Sequence, residues 1–276
     1  MRLRLMSNAY THGTHSCTLC HTTGTSTTVH EDRWRLEQWP AYWGDSNPDV
    51  LVLGFSMGAN QVRAAREKPF DQVAFAGLRV RLRQVLECLG VPLGEQTMDQ
   101  ALSAQGKGLG FASLSRCSLG LWDGKAFKTS GTIMKAAPSD PFAGQVLVRC
   151  ANRFLPVMPA SVRRVVLLGV GDDYVRGVRQ ILRKVFDDFA DTNSVAFRAG
   201  GRTWVFAVHP SKPNRVEEWL EAPAETKSGA KREHAKAALL RSYQIDEPVI
   251  HATTIGRRRL VKQPKAQDES ALAGGG

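Results

Sequence analysis

The chain has five cysteines, and two of them have the spacing of metal ligands. Cys17 and Cys20 form a CxxC pair near the N-terminus, Cys117 follows a short apolar segment, and Cys150 lies within a helical pattern. Cys88 lies on the apolar face of another predicted helix, where a thiol packs as a small hydrophobe. No signal peptide or bilayer-spanning run is found, which predicts a cytoplasmic protein without membrane contact. Since disulfides are rare in the cytoplasm, the cysteines need another role, which is metal binding, catalysis or burial.

Two loops that follow predicted buried strands carry further candidate residues. The segment Gly54-Phe55-Ser56-Met57-Gly58 comes after one apolar run, and His209-Pro210-Ser211 comes after another. In open parallel sheets, ligands bind beyond the carboxyl ends of the strands. A lone histidine at a strand end is more often structural, but it also suits the stabilisation of developing negative charge. The two loops together therefore predict one site at one edge of a sheet.

Strand-like and helix-like segments alternate through the middle of the chain. This alternation predicts an α/β fold with a central parallel four-stranded sheet flanked by helices, as in a three-layer sandwich. We expect residues 1–222 to form the main domain, including the cysteine segment, and residues 223–276 to form a basic, partly disordered extension. The predicted strands cover residues 49–54, 109–114, 164–169 and 203–208, and the predicted helices cover 73–89, 145–155 and 174–189.

The charge balance favours a polyanionic partner. The formal net charge is +11 and the isoelectric point is about 9.7. Lys and Arg side chains gain free energy by releasing counterions from phosphates, so DNA is the expected partner of a monomeric protein. The alternative is a basic surface that serves solubility alone.

In this order, the motifs resemble the uracil-DNA glycosylase superfamily, and the resemblance covers about residues 15–220. His209-Pro210-Ser211 is identical to the second signature loop of that family, and the Gly54–Gly58 loop is similar to the first, which reads Gly-x-x-Pro-Gly. The cysteine layout is similar to that of the iron–sulfur branches. The resemblance implies a monofunctional DNA glycosylase that hydrolyses the N-glycosidic bond of a flipped-out base and leaves an abasic site. No lysine is placed as a Schiff-base nucleophile.

The resemblance also implies roles for individual residues. The histidine stabilises the departing base anion, an aromatic stacks on the base, and the first loop places the attacking water. The residue that holds or activates this water stays open among Ser56, Asn60, Gln61 and Asp71. The implied residues are His209, Ser56, Asn60 and Asp71 for catalysis, Gly54, Phe55, Phe70 and Ser113 for base binding, and Pro210, Ser211, Lys212 and Arg215 for DNA binding.

The resemblance implies a [4Fe–4S] cluster on Cys17, Cys20, Cys117 and Cys150. Zinc is the alternative, held by the CxxC pair and one of the histidines at 12, 15, 21 and 30. The CxxC pair is also followed by His21, as in haem attachment, but that modification normally requires export. The stretch between Cys117 and Cys150 is longer than is usual in the family, and it is predicted to be an inserted loop that contacts DNA.

Three positions depart from a uracil-specific pocket. Ser113 stands where relatives hold an Asn that reads the edge of uracil, Met57 replaces a common Pro, and Phe55 stands where relatives hold a carboxylate or Asn. These changes favour a bulkier or modified pyrimidine, such as the glucosylated 5-hydroxymethylcytosine of phage DNA, excised in anti-phage defence. The alternatives are a uracil-DNA glycosylase in base excision repair, a non-catalytic damaged-DNA binding module, and a zinc-containing nucleic-acid adaptor.

Overall fold

A computed structural model describes residues 9–21, 25–129, 132–211 and 215–246, which belong to one compact unit. These residues form twelve strands and eight α-helices. The strands are β1 (Gly13–Thr14), β2 (Thr27–His30), β3 (Trp34–Glu37), β4 (Ala41–Gly44), β5 (Val50–Ser56), β6 (Leu109–Ser115), β7 (Ser118–Trp122), β8 (Phe127–Lys128), β9 (Arg164–Leu168), β10 (Ala190–Asn193), β11 (Ala196–Ala199) and β12 (Arg202–Ala207). The helices are α1 (Ala59–Glu67), α2 (Arg79–Cys88), α3 (Met98–Leu102), α4 (Thr132–Ala136), α5 (Pro141–Phe154), α6 (Asp172–Leu182), α7 (Val216–Glu221) and α8 (Lys227–Asp246).

The larger sheet has eight strands in the order β1-β4-β6-β5-β9-β12-β11-β10. Strands β6, β5, β9 and β12 pair in parallel, whereas β1, β4, β10 and β11 pair antiparallel at the two sides. The predicted fold, a single central parallel four-stranded sheet, is therefore wrong, because the sheet is mixed and twice as wide. The additional strands have only two to four residues each, too few to give a periodic signal in the sequence.

A second, antiparallel sheet has the order β2-β3-β7-β8. Strands β2 and β3 follow the CxxC pair, and β7 and β8 follow Cys117. Part of the stretch between Cys117 and Cys150 therefore forms two strands, where an inserted loop was predicted. Trp34 and Leu36 alternate with polar residues along β3, and they are aligned with Leu121 and Leu119 of β7. All four side chains are buried, so this sheet covers apolar surface with one face.

The central strands are buried along almost their whole length. In β5, every residue from Val50 to Phe55 is buried, as expected for a strand that is covered on both faces. Helix α8 packs against β12, with Ala235 and Leu239 fully buried. The remainder of the predicted extension, residues 247–276, lies outside the described residues. Within the described ranges, no helix is both long and apolar enough to cross a bilayer.

Candidate active site and metal centre

The register of β5 and β6 brings two predicted base-binding residues together. Gly54 and Ser113 are partners in neighbouring parallel strands, and Ser56 is the partner of Ser115 two residues later. A Cβ atom added to Gly54 would lie 3.4 Å from the Ser113 hydroxyl oxygen. Because aligned residues of neighbouring strands point to the same face, these small residues line one patch of that face.

Side chains alternate along β5, so Phe55 points to the opposite face from its neighbours. Phe55 is 5% exposed, and its ring makes an edge-to-face contact with Tyr174 at a centroid distance of 5.7 Å. The structure thus places this predicted base-binding residue in the core. Ser56 is different, because its hydroxyl oxygen is buried and has no hydrogen-bond partner among the described residues. A buried hydroxyl without a partner is costly, so this position suits a water or ligand atom.

Ser56 and His209 both lie at the carboxyl ends of parallel strands. Ser56 is the last residue of β5, and His209 follows the end of β12. Leu53, Leu167 and Phe206 are aligned across β5, β9 and β12. Strand β9 lies between β5 and β12, so two strand spacings, about 10 Å, separate the backbones of β5 and β12.

The hydrogen bonds around His209 fix which ring nitrogen carries the proton. Nδ1 accepts a hydrogen bond from the backbone N–H of Ser211 at 3.2 Å, and the Ser211 hydroxyl lies 3.0 Å from the same atom. The proton of the neutral ring is therefore on Nε2. Burial lowers the pKa of His209 to about 4, so the ring is neutral at pH 7 and offers a single N–H donor.

This lowered pKa predicts an acid-sensitive contribution to stability. The unfolded chain binds a proton at His209 as the pH falls below 6.5, but the folded chain does so only near pH 4. The free energy of unfolding should therefore fall as the pH drops across that window. Urea titrations of the wild type and His209→Gln at several pH values test this, and the variant should show the shallower dependence on pH. Equal slopes for the two proteins would contradict the prediction.

The other predicted water-activating residues already have partners. Asn60 is exposed on α1, where its carbonyl oxygen accepts a hydrogen bond from Arg63 at 2.9 Å. The carbonyl oxygen of Gln61 accepts the backbone N–H of Gly58 and caps the helix. The Asp71 carboxylate lies 2.7 Å from Nε2 of His12. Of these candidates, Ser56 is the one that the structure places at the strand ends with an unpartnered polar atom.

Phe70 and Asp71 form part of a 3-10 turn that packs against the N-terminal segment. The ring of Phe70 stacks on Trp43 at 4.8 Å and meets the edge of His12 at 5.0 Å. His12 also links two elements, because its Nε2 lies 2.7 Å from the Asp71 carboxylate and its Nδ1 accepts the backbone N–H of Gly44. Phe70, predicted to stack on the base, therefore has one ring face covered by Trp43, a residue that the sequence interpretation missed.

The predicted DNA-binding residues lie on and after the His-Pro-Ser loop. Pro210 is buried, and Ser211 holds the histidine ring as described above. Arg215 is exposed and forms an ion pair with Glu218 at 3.0 Å, which offsets its charge. Lys212 lies outside the described residues.

All four predicted cysteine ligands line one cavity between the N-terminal segment, the β6–β7 connection and α5. The sulfur atom of Cys150 also receives a hydrogen bond, because the backbone N–H of Arg116 donates to Cys150 Sγ at 3.2 Å. Such a donor stabilises a thiolate that binds a metal or cluster. Cys88 does not line this cavity.

The structure was also searched for ligand groups of a metal ion. In the ranges that the structure describes, no group of three or more His, Cys, Asp or Glu side chains is arranged to hold one metal ion. Four cysteines that line one cavity are the type of ligand set that iron–sulfur clusters use. Burial raises the pKa of the Cys117 and Cys150 thiols to about 12, so binding must displace their protons.

Two histidines of the zinc alternative, His12 and His30, lie outside the cysteine cavity, whereas His15 lines a neighbouring pocket with Cys17. His30 stacks on Phe142 at 4.4 Å, and His12 bonds to the 3-10 turn. His21 lines the cysteine cavity, and its Nε2 is buried without a partner among the described residues.

Comparison with protein families and with curated proteins gave no match to this chain.

Proposed function

We propose that this chain is a monofunctional DNA glycosylase that acts as a cytoplasmic monomer and removes a flipped-out modified pyrimidine, leaving an abasic site. The observation that carries the proposal is the neutral, partly buried His209 after β12, together with the unpartnered hydroxyl of Ser56 at the end of β5. Ligands of open parallel sheets bind at this edge. A neutral N–H donor and a hydroxyl that can hold a water suit hydrolysis of an N-glycosidic bond.

The chemistry follows from these two groups. As the bond between C1′ and the base nitrogen breaks, the base takes the electron pair and the sugar becomes cationic. The Nε2–H of His209 stabilises the developing anion on the base, and burial strengthens this interaction. Ser56 holds a water whose oxygen adds to C1′. One hydrogen of the water stays in the new C1′ hydroxyl, and the one proton that is released is taken up by the departed base through solvent.

The substrate that we propose is a bulky pyrimidine such as glucosylated 5-hydroxymethylcytosine, excised in defence against phage. Support comes from the pair of small residues, Gly54 and Ser113, on one face of β5 and β6. A serine hydroxyl cannot replace the two-point contact that an amide makes with uracil. The pair therefore leaves space beside the base and does not select uracil.

A non-catalytic DNA-binding module is the second candidate. It is favoured by the partners of Asn60, Gln61 and Asp71, which leave no carboxylate placed at the strand ends among the described candidates. Duplexes that contain one uracil, hypoxanthine, 5-hydroxymethylcytosine or its glucosylated form separate the two candidates. Alkali-labile sites at a modified pyrimidine support the glycosylase. DNA binding without such sites on any duplex would establish the binding module.

A methyl group on Gly54 should reduce the space for the base without disturbing the fold. In Gly54→Ala, the new Cβ makes ordinary van der Waals contact with Ser113, so the melting temperature should stay close to that of the wild type. Excision of a bulky pyrimidine should fall about tenfold, as is typical for one methyl group in a binding pocket. Gly171→Ala, whose added Cβ has no neighbour within 4 Å, is the matched control. If excision by Gly54→Ala is as fast as excision by the control, Gly54 does not line the base pocket.

The cations of α1 should contact the DNA backbone. Arg63, Arg66 and Lys68 are exposed next to the first loop, and no described acidic side chain pairs with them. In the double variant Arg63→Gln/Arg66→Gln, the slope of log binding constant against log salt should become shallower by about two units. The control is Arg198→Gln/Arg241→Gln, which removes two exposed cations near the opposite strand ends. Equal salt dependence of DNA binding in the two double variants would show that α1 does not contact the DNA backbone.

We also propose that Cys17, Cys20, Cys117 and Cys150 hold a [4Fe–4S] cluster. The shared cavity and the N–H of Arg116 that donates to Cys150 Sγ support this assignment. When bound, the cluster supplies a cross-link between the N-terminal segment, the end of β6 and α5. Ser113 lies four residues before Cys117, so this cross-link would also hold the base-binding face in position.

A further inference from the structure

Arg116 is a charged side chain in an almost entirely buried position, with 3% of its surface exposed. Its guanidinium carbon lies 5.0 Å from the ring centre of Tyr10, 5.8 Å from that of Tyr42 and 4.8 Å from that of Phe154. Nη1 donates a hydrogen bond to the backbone oxygen of Ala41 at 3.0 Å. Nη2 is buried and has no hydrogen-bond partner among the described residues. Aromatic rings and one carbonyl therefore surround a full positive charge.

A second buried arginine in the same protein shows how a buried positive charge is usually neutralised. Arg164 is also 3% exposed and lies over an aromatic ring, that of Tyr243, at 3.6 Å. Its Nη1 donates to both carboxylate oxygens of Asp49, at 2.6 and 2.7 Å. A buried charge without an opposite charge is strongly unfavourable, and Asp49 supplies that charge here. Within the described ranges, no carboxylate pairs with Arg116.

The side chains that share a cavity with Arg116 indicate where the missing negative charge resides. The cavity is lined by the four predicted cysteine ligands, together with His21 and Arg153. The backbone N–H of Arg116 donates to Cys150 Sγ, so the residue already contacts one ligand. Cysteines become anionic when they bind a metal or cluster. Four thiolates on an oxidised [4Fe–4S] core carry two net negative charges, and reduction by one electron adds a third.

We propose that Arg116 is the buried counter-charge of the anionic group that the four cysteines bind, and that it thereby sets the reduction potential of that group. This inference rests on the cluster in the proposed function. A fixed cation stabilises the reduced cluster, with its extra negative charge, more than the oxidised one. Arg116 is thus a positioning residue that acts on the cluster and does not contact DNA. Its aromatic surroundings hold the guanidinium in place without neutralising it.

The test compares Arg116→Met and Arg116→Lys with the matched control Arg164→Met, all purified anaerobically as holoproteins. Iron, acid-labile sulfide and the midpoint potential are measured for each. At a fixed potential, Arg116→Met should shift the ratio of oxidised to reduced cluster about tenfold toward the oxidised form, equal to about 59 mV for a one-electron couple. Arg116→Lys keeps the charge and should restore most of this shift. Arg164→Met should lower stability without moving the potential.

An iron-loaded Arg116→Met with the wild-type potential would overturn the inference, as would an equal shift in Arg164→Met. If Arg116→Met does not fold, Arg116→Lys decides. Folded, iron-loaded Arg116→Lys near the wild-type potential supports a role of charge, whereas loss of the cluster in this variant also overturns it. A wild-type protein that contains no iron and no sulfide would contradict both the cluster proposal and this inference. Base excision is assayed on the same preparations, so that a failure of the cluster proposal is distinguished from a failure of the glycosylase proposal.

Discussion

His209→Ala should lower the single-turnover rate of base excision on the order of 10²- to 10³-fold, the usual effect of removing one donor that stabilises a developing anion. The physical reason is the Nε2–H of the neutral ring, which is fixed by the hydrogen bond from Ser211 to Nδ1. The pKa of about 4 adds a second expectation. The rate should show no inflection from this histidine near pH 6.5, because the ring is already neutral there.

The measurement is the formation of alkali-labile sites with enzyme in excess over DNA. His234→Ala is the matched control, because His234 is exposed on α8 and lies against Ser194. Both variants should keep the iron content of the wild type, which separates a catalytic effect from a folding effect. An excision rate in His209→Ala within a factor of about three of the wild type would be too small a loss for an anion-stabilising donor.

Cys150→Ala should abolish the bound iron and the visible absorbance and should lower the melting temperature. Cys150 is buried in the shared cavity and receives the N–H of Arg116, so its loss removes one ligand and leaves that donor unpaired. Because ligand binding and folding are coupled in such sites, the N-terminal segment should also become more sensitive to protease. Iron, sulfide and zinc are quantified in the same preparation.

Cys88→Ala is the control for this prediction. Cys88 is partly buried on α2, outside the cavity, so its replacement should leave the iron content unchanged. Full iron loading of Cys150→Ala, or equal loss in the two variants, would exclude the four-cysteine site. One zinc ion per chain without sulfide would favour the zinc alternative, with His21 as the histidine that lines the cavity.

The central strands were predictable because apolar runs mark buried parallel strands. The runs at residues 49–54, 109–114, 164–169 and 203–208 correspond to β5, β6, β9 and β12, with ends that differ by at most two residues. The edge strands were not predictable. Strand β4 has four residues, and its pairing with β6 depends on long-range contacts such as that between Trp43 and Phe111. Patterns within short segments do not carry this information.

Helix starts were predicted less well for a local reason. The helix predicted over residues 73–89 begins only at Arg79, because Phe75 has a left-handed backbone with φ of 52° and Gly77 one of 72°. The helix predicted over residues 145–155 begins earlier, at Pro141, where the Asp140 carboxylate accepts the N–H groups of two residues and caps the first turn. This Asp-Pro signal was present in the sequence.

The candidate site was predictable in part. The pairing of Gly54 with Ser113 and the position of His209 at the carboxyl ends of the strands follow once the four parallel strands are placed side by side. The surroundings of Asn60 and Asp71 did not follow, because their partners, Arg63 and His12, are set by helix geometry and tertiary packing. The burial of Arg116 was hidden for the same reason. The only sequence signal for a buried arginine at this position is that Arg116 directly precedes Cys117.

Mass spectrometry of small molecules released from duplex DNA tests the central claim most directly. The substrate is a duplex with one glucosylated 5-hydroxymethylcytosine, incubated with the wild type and with His209→Ala. The proposal predicts free modified base from the wild type, in amounts equal to the abasic sites formed, and little or none from the variant. No free base from this duplex or from duplexes with other modified pyrimidines, while the protein binds them all, would contradict it.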